Sequence, residues 1–383
     1  MTFNSALFDP IQVCLDIEPA LQTQAWQQSQ SFATPSSQWN AYLNQLCLDT
    51  VLPWLQDAYE RQATPAPSAT ALPGFWELVN GSAIAVNRTR LVLIPTEAID
   101  VDEIRVPQEW VDIPDWIADY YLAVQVNPDD RWVRINGFTT HWQLKQRPVD
   151  WSDRTYPINE SDLTADLNAL WVARQLHPEA TTRARVPAVS PLPLAQAQTL
   201  LQRLGDPSVL VPRLAIPVEQ WRSLIAHGGW RQRLSDQRRG LPEQQSPLQW
   251  LQAGISNLSQ QSGWTRLEFQ PGLAVARGEA TETTPVLAKE LTIANHSYEL
   301  RISAVDRTSN IWRFELQQSG GTIPAGIILR LLTEDLQPFA GNEDTANAPV
   351  EQLYIEVSLA PGEGLVWEIE PTPDHYDQEI LRF

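Results

Sequence analysis

The spacing of apolar residues changes more than once along the chain. Trp39, Tyr42, Leu43, Leu46, Cys47, Thr50, Val51, Trp54 and Leu55 recur at helical spacing and predict a long amphipathic helix. Pro35-Ser36-Ser37 supplies its N-cap, and Pro53 is expected to kink or break it near its end. A weaker, Gln-rich helix bearing Leu21, Ala25 and Phe32 precedes it. Residues 62–74, QATPAPSATALPG, read as a linker. The period then becomes two. Residues 83–86 and 90–94 flank Asn87-Arg88-Thr89 as a β-hairpin. Residues 120–127 and 132–136 form a second hairpin around Pro128-Asp129-Asp130, with Gly137 at its end.

Helical spacing returns in the middle. Leu163, Leu167, Leu170 and Trp171 make one stripe, and Leu194, Ala197, Leu200, Leu201 and Leu204 another. Trp221, Leu224 and Ile225 mark a third helix, opened by Pro217 and closed at Gly228-Gly229. A capping box at Ser246 and Gln249 opens a fourth, with Leu248, Leu251, Ile255 and Leu258 as its apolar face. From residue 286 the pattern alternates throughout. Tyr298, Leu300 and Ile302, then Trp312, Phe314 and Leu316, then Leu353, Ile355, Val357 and Leu359 predict an antiparallel β-sandwich. Its core should contain Trp312, Phe314, Leu316, Ile355, Val357 and Trp367. The expected fold class is α+β in three parts: N-terminal helices with antiparallel hairpins (1–160), an Arg-rich helical middle (161–265), and a C-terminal β-sandwich (286–383).

Composition narrows the function. The 383 residues contain no run of 18 apolar positions, so no membrane-crossing helix is expected. The first basic residue is Arg61, which leaves no positive n-region for a leader peptide, and the cytoplasm is the expected location. Two cysteines, Cys14 and Cys47, exclude a disulfide scaffold and a thiolate zinc site, and five scattered histidines argue against a metal centre. There is no glycine-rich nucleotide motif, and no cofactor is expected. A net charge of -19 argues against nucleic acid. That charge is uneven. Residues 1–130 hold 4 Lys+Arg against 17 Asp+Glu, residues 131–240 hold 15 against 9, and residues 241–383 hold 8 against 20. The basic middle either pairs with acidic parts of its own chain or receives an acidic partner.

Candidate chemistry is sparse. Glu368 and Glu370, two apart on a predicted strand, lie about 6.6 Å apart on one face and could serve as paired carboxylates. The alternation predicts more simply that both face water. His141, beside Trp142, is a candidate base with no partner placed by the sequence. The strongest candidate surface is the segment 221–240, where Trp221, Arg222, Trp230, Arg231, Arg233, Arg238 and Arg239 gather. Arginine with tryptophan is the composition of protein interfaces, and can also bind phosphates or stack on bases, but the plainer reading is a solvated helix end whose tryptophans are core.

Three stretches carry a family resemblance: DWIADYYLAVQVNPDDRWVRINGFTTHWQLK (115–145), IPAGIILRLLTEDLQPFAGNEDTA (323–346) and PGEGLVWEIEPTPDHYDQEILRF (361–383). Together they resemble an uncharacterised cyanobacterial family, Trp-rich and ending in an EILRF-type tail. The resemblance implies a cyanobacterial, cytoplasmic protein, connected with signalling or transcription control, and transfers no catalytic residue. The leading expectation is a non-catalytic regulatory or adaptor protein binding another protein through 221–239, with exposed tryptophans of the N-terminal part as a second surface. A hydrolase using the C-terminal carboxylates and His141 is one alternative, and a ligand- or carbohydrate-binding module is another.

Overall fold

Thr34 starts the long helix. Its hydroxyl accepts from the Ser37 amide at 3.1 Å, and the Ser37 hydroxyl accepts from the Thr34 amide at 2.9 Å. This reciprocal box moves the expected cap one residue earlier and satisfies two amides that the first turn cannot. The computed structural model describes residues 12–98, 102–177, 179–242, 246–253, 263–269, 284–306 and 310–383. Ile255 and Leu258, expected on the fourth helix, lie outside them. The chain divides into two units, Met1–Leu192 with Gln196–Leu241, and Pro193–Ala195 with Pro242–Phe383. The helical middle therefore does not stand alone. Its larger part belongs with the N-terminal residues, because its buried arginines meet their partner acids there.

In the first unit β1 (Val13–Asp16) leads into α1 (Pro19–Ser29) and α2 (Pro35–Ala58). The helix α2 continues through Pro53, five residues beyond the expected break. The segment read as a linker is built into the fold as β2 (Thr64–Ala66) and α3 (Leu72–Trp76), anchored by buried Leu72, Phe75 and Trp76. Next come β3 (Ser82–Val86), β4 (Thr89–Thr96), β5 (Glu103–Pro107), α4 (Gln108–Asp112), β6 (Tyr120–Asn127), β7 (Trp132–Thr140), α5 (His141–Lys145) and β8 (Thr155–Asn159). Both predicted hairpins form, β3–β4 and β6–β7. They join in one six-stranded sheet, ordered β1-β7-β6-β4-β3-β2, through a parallel β4–β6 pair. A parallel pair needs a crossover. The crossover here carries β5 and α4, and β5 pairs with β8 as a separate ribbon. All but the last residue of β6 are buried, so this strand is covered on both faces. Gly137 does not end β7; it sits beside a bulge where the register shifts. Its φ is +153°, and a Cβ there would meet the Thr164 carbonyl oxygen at 2.8 Å, so only glycine fits.

The helices α6 (Leu167–Leu176), α7 (Leu194–Leu204), α8 (Val218–Ala226) and α9 (Gly228–Arg238) complete this unit. Gly228-Gly229, expected to close the third helix, instead opens α9. His227 caps it by accepting from the Trp230 amide at 3.3 Å and stacks on the Trp230 ring at 4.1 Å.

The second unit holds α10 (Pro247–Ala253) and strands β9 (Trp264–Phe269), β10 (Thr284–Ile293), β11 (His296–Asp306), β12 (Ile311–Gln318), β13 (Ile328–Thr333), β14 (Glu343–Thr345), β15 (Gln352–Ser358), β16 (Gly364–Glu370) and β17 (Ile380–Arg382). Two antiparallel sheets, β15-β12-β11-β10-β9 and β14-β13-β16-β17, share one apolar core. Trp312, Phe314, Leu316, Ile355 and Trp367 are buried in it, whereas Val357 is only partly buried. The unit begins earlier than residue 286, since Trp250 of α10 and Trp264 of β9 belong to the same core. The tail is part of this packing. Glu379 accepts from the indole N–H groups of Trp264 (3.1 Å) and Trp367 (2.8 Å) and from Lys289 (2.8 Å). Leu381 is buried in β17, Arg382 pairs with buried Glu334 at 2.5 Å, and the Phe383 ring meets Trp312 at 4.7 Å.

Candidate functional site

The arginine-rich segment faces inward. Trp221, Trp230, Arg231 and Arg238 are buried, which corrects their assignment to a partner surface: each is already occupied within the first unit. The Trp221 indole donates to Glu109 at 2.7 Å. Arg231 lies 4.0 Å above the Phe75 ring and donates to the Ile225 carbonyl at 2.9 Å. Arg238 pairs with buried Glu77 at 2.8 Å and donates to the carbonyls of Leu204 and Val209. Arg222 donates to the Asp112 carbonyl at 2.7 Å, and Arg239 to the Ser31 hydroxyl at 2.9 Å. Arg222, Arg233 and Arg239 are partly buried. The opposite charges of 1–130 and 131–240 thus meet inside one unit. Two further pairs follow the same pattern: Arg213 holds Glu109 in a two-pronged grip at 2.9 and 2.7 Å, and Arg183 holds Asp119 likewise at 3.0 and 2.8 Å.

Asp236, on α9 within this segment, is an ill-placed charge. Burial raises its carboxyl to about 6, against the attraction of Arg239 and a hydrogen bond from Gln232. Its proton is held more tightly in the folded chain than in the unfolded one. The associated stability is therefore full below the unfolded value of 3.8 and is lost as pH rises through about 6. Asp236→Asn is expected to raise stability at pH 7.5 and to be neutral at pH 4. One pKa unit corresponds to about 1.4 kcal/mol, so the ceiling is about 3 kcal/mol, and residual solvent at the side chain lowers the expected gain to about 1–2 kcal/mol. Thermal melts at the two pH values measure it. A gain of equal size at pH 4 would contradict the assignment.

All five residues of α4 are buried, and a polar network surrounds them. Lys145 donates to Asp112 and to the Tyr156 hydroxyl, both at 2.8 Å. Burial would lower the Lys145 pKa, but Asp112 and Tyr156 outweigh it and hold it above its ordinary value. Burial raises that of Tyr156. Both shifts favour the protonated forms, the opposite of an activated base or nucleophile. His141 is fully buried. Its Nε2 donates to the Val111 carbonyl at 2.8 Å, and its Nδ1 accepts from the Ala184 amide at 2.9 Å. Burial lowers its pKa, so the ring is neutral and both nitrogens are engaged.

In the second unit Glu368 accepts from Gln378 at 3.0 Å, and exposed Glu370 pairs with Arg330 at 3.0 Å. The two acids are engaged in surface contacts, and His141 belongs to the other unit. Among the described residues of the sandwich, Tyr354 is the exposed aromatic, beneath the Arg313 guanidinium at 4.9 Å, while Tyr298 is buried. No group of three or more His, Cys, Asp or Glu side chains suited to a metal ion occurs among the described residues, and both cysteines are free.

A different surface stands open. Pro35, Ser36, Trp39, Asn40 and Leu43 of α2, with Asn80 and Pro95, line an open groove of about 410 Å³. Trp39 is 36% exposed and Trp26 on α1 is 48% exposed. The two rings meet edge to face at 6.5 Å, and each contacts Tyr42, at 5.4 Å from Trp26 and 5.3 Å from Trp39. Helical periodicity had placed Trp39 with the core. The signal that marks this face is elsewhere: residues 19–48 contain no charged side chain.

No curated protein and no solved structure matches the chain. No helix among the described residues is long and apolar enough to cross a membrane. A family model matches residues 15–382, nearly the whole chain. The chain belongs to that family, described as a protein of unknown function (DUF1822).

Proposed function

We propose that this protein is a non-catalytic adaptor that binds another protein through the α1–α2 face. The observation that carries the reading is the exposed pair Trp26 and Trp39, of which Trp39 lines the groove and Trp26 packs against it, within 30 residues that bear no charge. Single exposed apolar side chains are ordinary, but two clustered tryptophans beside a groove mark an interaction site. Tryptophan is also the side chain most enriched among residues that dominate binding energy. The polar groups around His141 and Lys145 are engaged internally and held in resting protonation states, which favours binding over catalysis. In this reading the protein acts in regulation, in the cytoplasm of a cyanobacterium, and needs no cofactor.

The test is affinity capture from the native cell with the full chain as bait, quantified by mass spectrometry. Replacing both Trp26 and Trp39 by alanine should deplete the main captured protein by about 30-fold, corresponding to about 2 kcal/mol or more. An unchanged circular dichroism spectrum shows that the variant still folds. Equal recovery by wild type and variant would end the proposal for this face.

A further inference from the structure

We infer that the chain presents residues 185–191 as an exposed polyproline II ridge, to be read by an aromatic-lined groove with an acidic end on a partner protein. This is a second surface, apart from the α1–α2 face, and it goes beyond the reading above. Residues 180–192, between α6 and α7, adopt neither helix nor strand. Their burial nevertheless has an order. Thr182 is buried and Ala184 and Val186 are half-buried, with exposed residues between them, the alternation of an extended strand. From Val186 onward the covered positions come at every third residue: Val186, Val189, then Leu192. Arg185, Pro187, Ala188, Ser190 and Pro191 are exposed. Three residues per turn is the polyproline II period, and the six steps from Val186 to Leu192 span about 19 Å. Residues 185–191 also make no hydrogen bond within the chain, which fits a conformation that has no internal ones.

The ridge is held in place before any partner arrives. At its N-terminal end the Thr182 hydroxyl donates to Asp119 at 2.7 Å, the Thr182 carbonyl accepts from the Trp142 amide at 2.9 Å, and the Ala184 amide donates to His141. Buried Leu192 anchors the other end. A segment tethered in this way loses less entropy on docking than a free one. The residues of the ridge select how it is read. Pro187 and Pro191 have no N–H, so an added β-strand could not pair along it. Rows three residues apart set Pro187 with Ser190 and Ala188 with Pro191, which leaves the proline rings as the largest outward apolar groups. Proline rings dock on aromatic side chains, the lining of grooves that take polyproline II segments. Charge sets the end of the groove. Residues 180–192 hold Arg183 and Arg185 and no acid. Arg183 is held by Asp119, whereas exposed Arg185 has no ion pair among the described residues. A carboxylate on the partner complements it.

The experiment places a photo-crosslinker on the ridge, Ser190→p-benzoylphenylalanine, in the full chain within the native cell. A cross-link to a different protein is expected. Excess unmodified wild-type chain should displace it, and the double variant Pro187→Ala/Pro191→Ala should compete about 10-fold less well. Both prolines are exposed, so this variant should melt close to wild type. Arg185→Glu should compete less well at low salt, with the difference fading at about 0.5 M salt. The captured protein, once purified, is added to the chain carrying isotope-labelled proline. Ring currents of an aromatic groove should shift the Pro187 and Pro191 resonances upfield. Trp26→Ala/Trp39→Ala should leave the Ser190 cross-link intact, so failure of the α1–α2 face and failure of this one are read separately; loss of the cross-link in that variant would overturn the inference. Cross-links confined to this chain, within one copy or to a second, would also overturn it. So would competition indifferent to the two prolines, or proline resonances that stay in place.

Discussion

Glu109→Ala is expected to lower the stability of the first unit by about 3–5 kcal/mol, the usual cost of breaking a buried ion pair from one side. Glu109 lies within α4, fully buried, and its two oxygens accept from Arg213 and from the Trp221 indole. Alanine leaves a largely desolvated guanidinium and an indole N–H without that acceptor. Urea unfolding should show a lower midpoint with an unchanged slope. Glu109→Gln keeps an acceptor for Trp221 and should cost less. The pair Glu109→Leu with Arg213→Leu should recover much of the loss, because no uncompensated charge remains. A double variant as unstable as the sum of the two single ones would show that the pairing itself is unimportant.

Adjacent arginines on α9 should behave in opposite ways. Arg238→Met is expected to cost about 3–5 kcal/mol, since it strands the buried Glu77 carboxylate with the Ala33 amide at 3.1 Å. Arg239→Met removes a more exposed contact with Ser31 and a ring contact with Phe32, and should cost about 1 kcal/mol or less. Raising salt should leave the Arg238 effect intact, because water and ions do not reach that pair. Thermal melts of the two variants decide it; comparable losses would mean that the clasp to Glu77 is not a structural element.

The sequence reveals much of this fold through periodicity. The hairpins β3–β4 and β6–β7, the faces of α7 and α10, and the sandwich core all follow from alternation or helical spacing. What escapes it is context. Gly228-Gly229 has the composition of a helix end, yet the His227 side chain turns the same glycines into a beginning. Residues 62–74 have linker composition, and only tertiary packing of Leu72 and Phe75 overrides it. Charge along the chain showed that acids and arginines differ by segment, but not which arginines would be desolvated. That depends on contacts 104 residues apart for Arg213 with Glu109, and 161 apart for Arg238 with Glu77. The candidate site was less legible. Trp39 fits a core stripe, yet it is 36% exposed, and local pattern does not encode which face of a helix its neighbours leave open.

Those separations have a consequence for how the chain is made. A ribosome adding about 5–20 residues per second reaches Arg238 about 8–30 s after Glu77. Until Arg213 emerges Glu109 lacks its partner, and until Arg238 emerges Glu77 lacks its own, so folding cannot bury either acid without a charge penalty. The six-stranded sheet can form early, but its covering layer must wait. Nascent chains stopped near residue 200 should therefore remain open to proteases around α3 and α4, and close only once α9 has emerged.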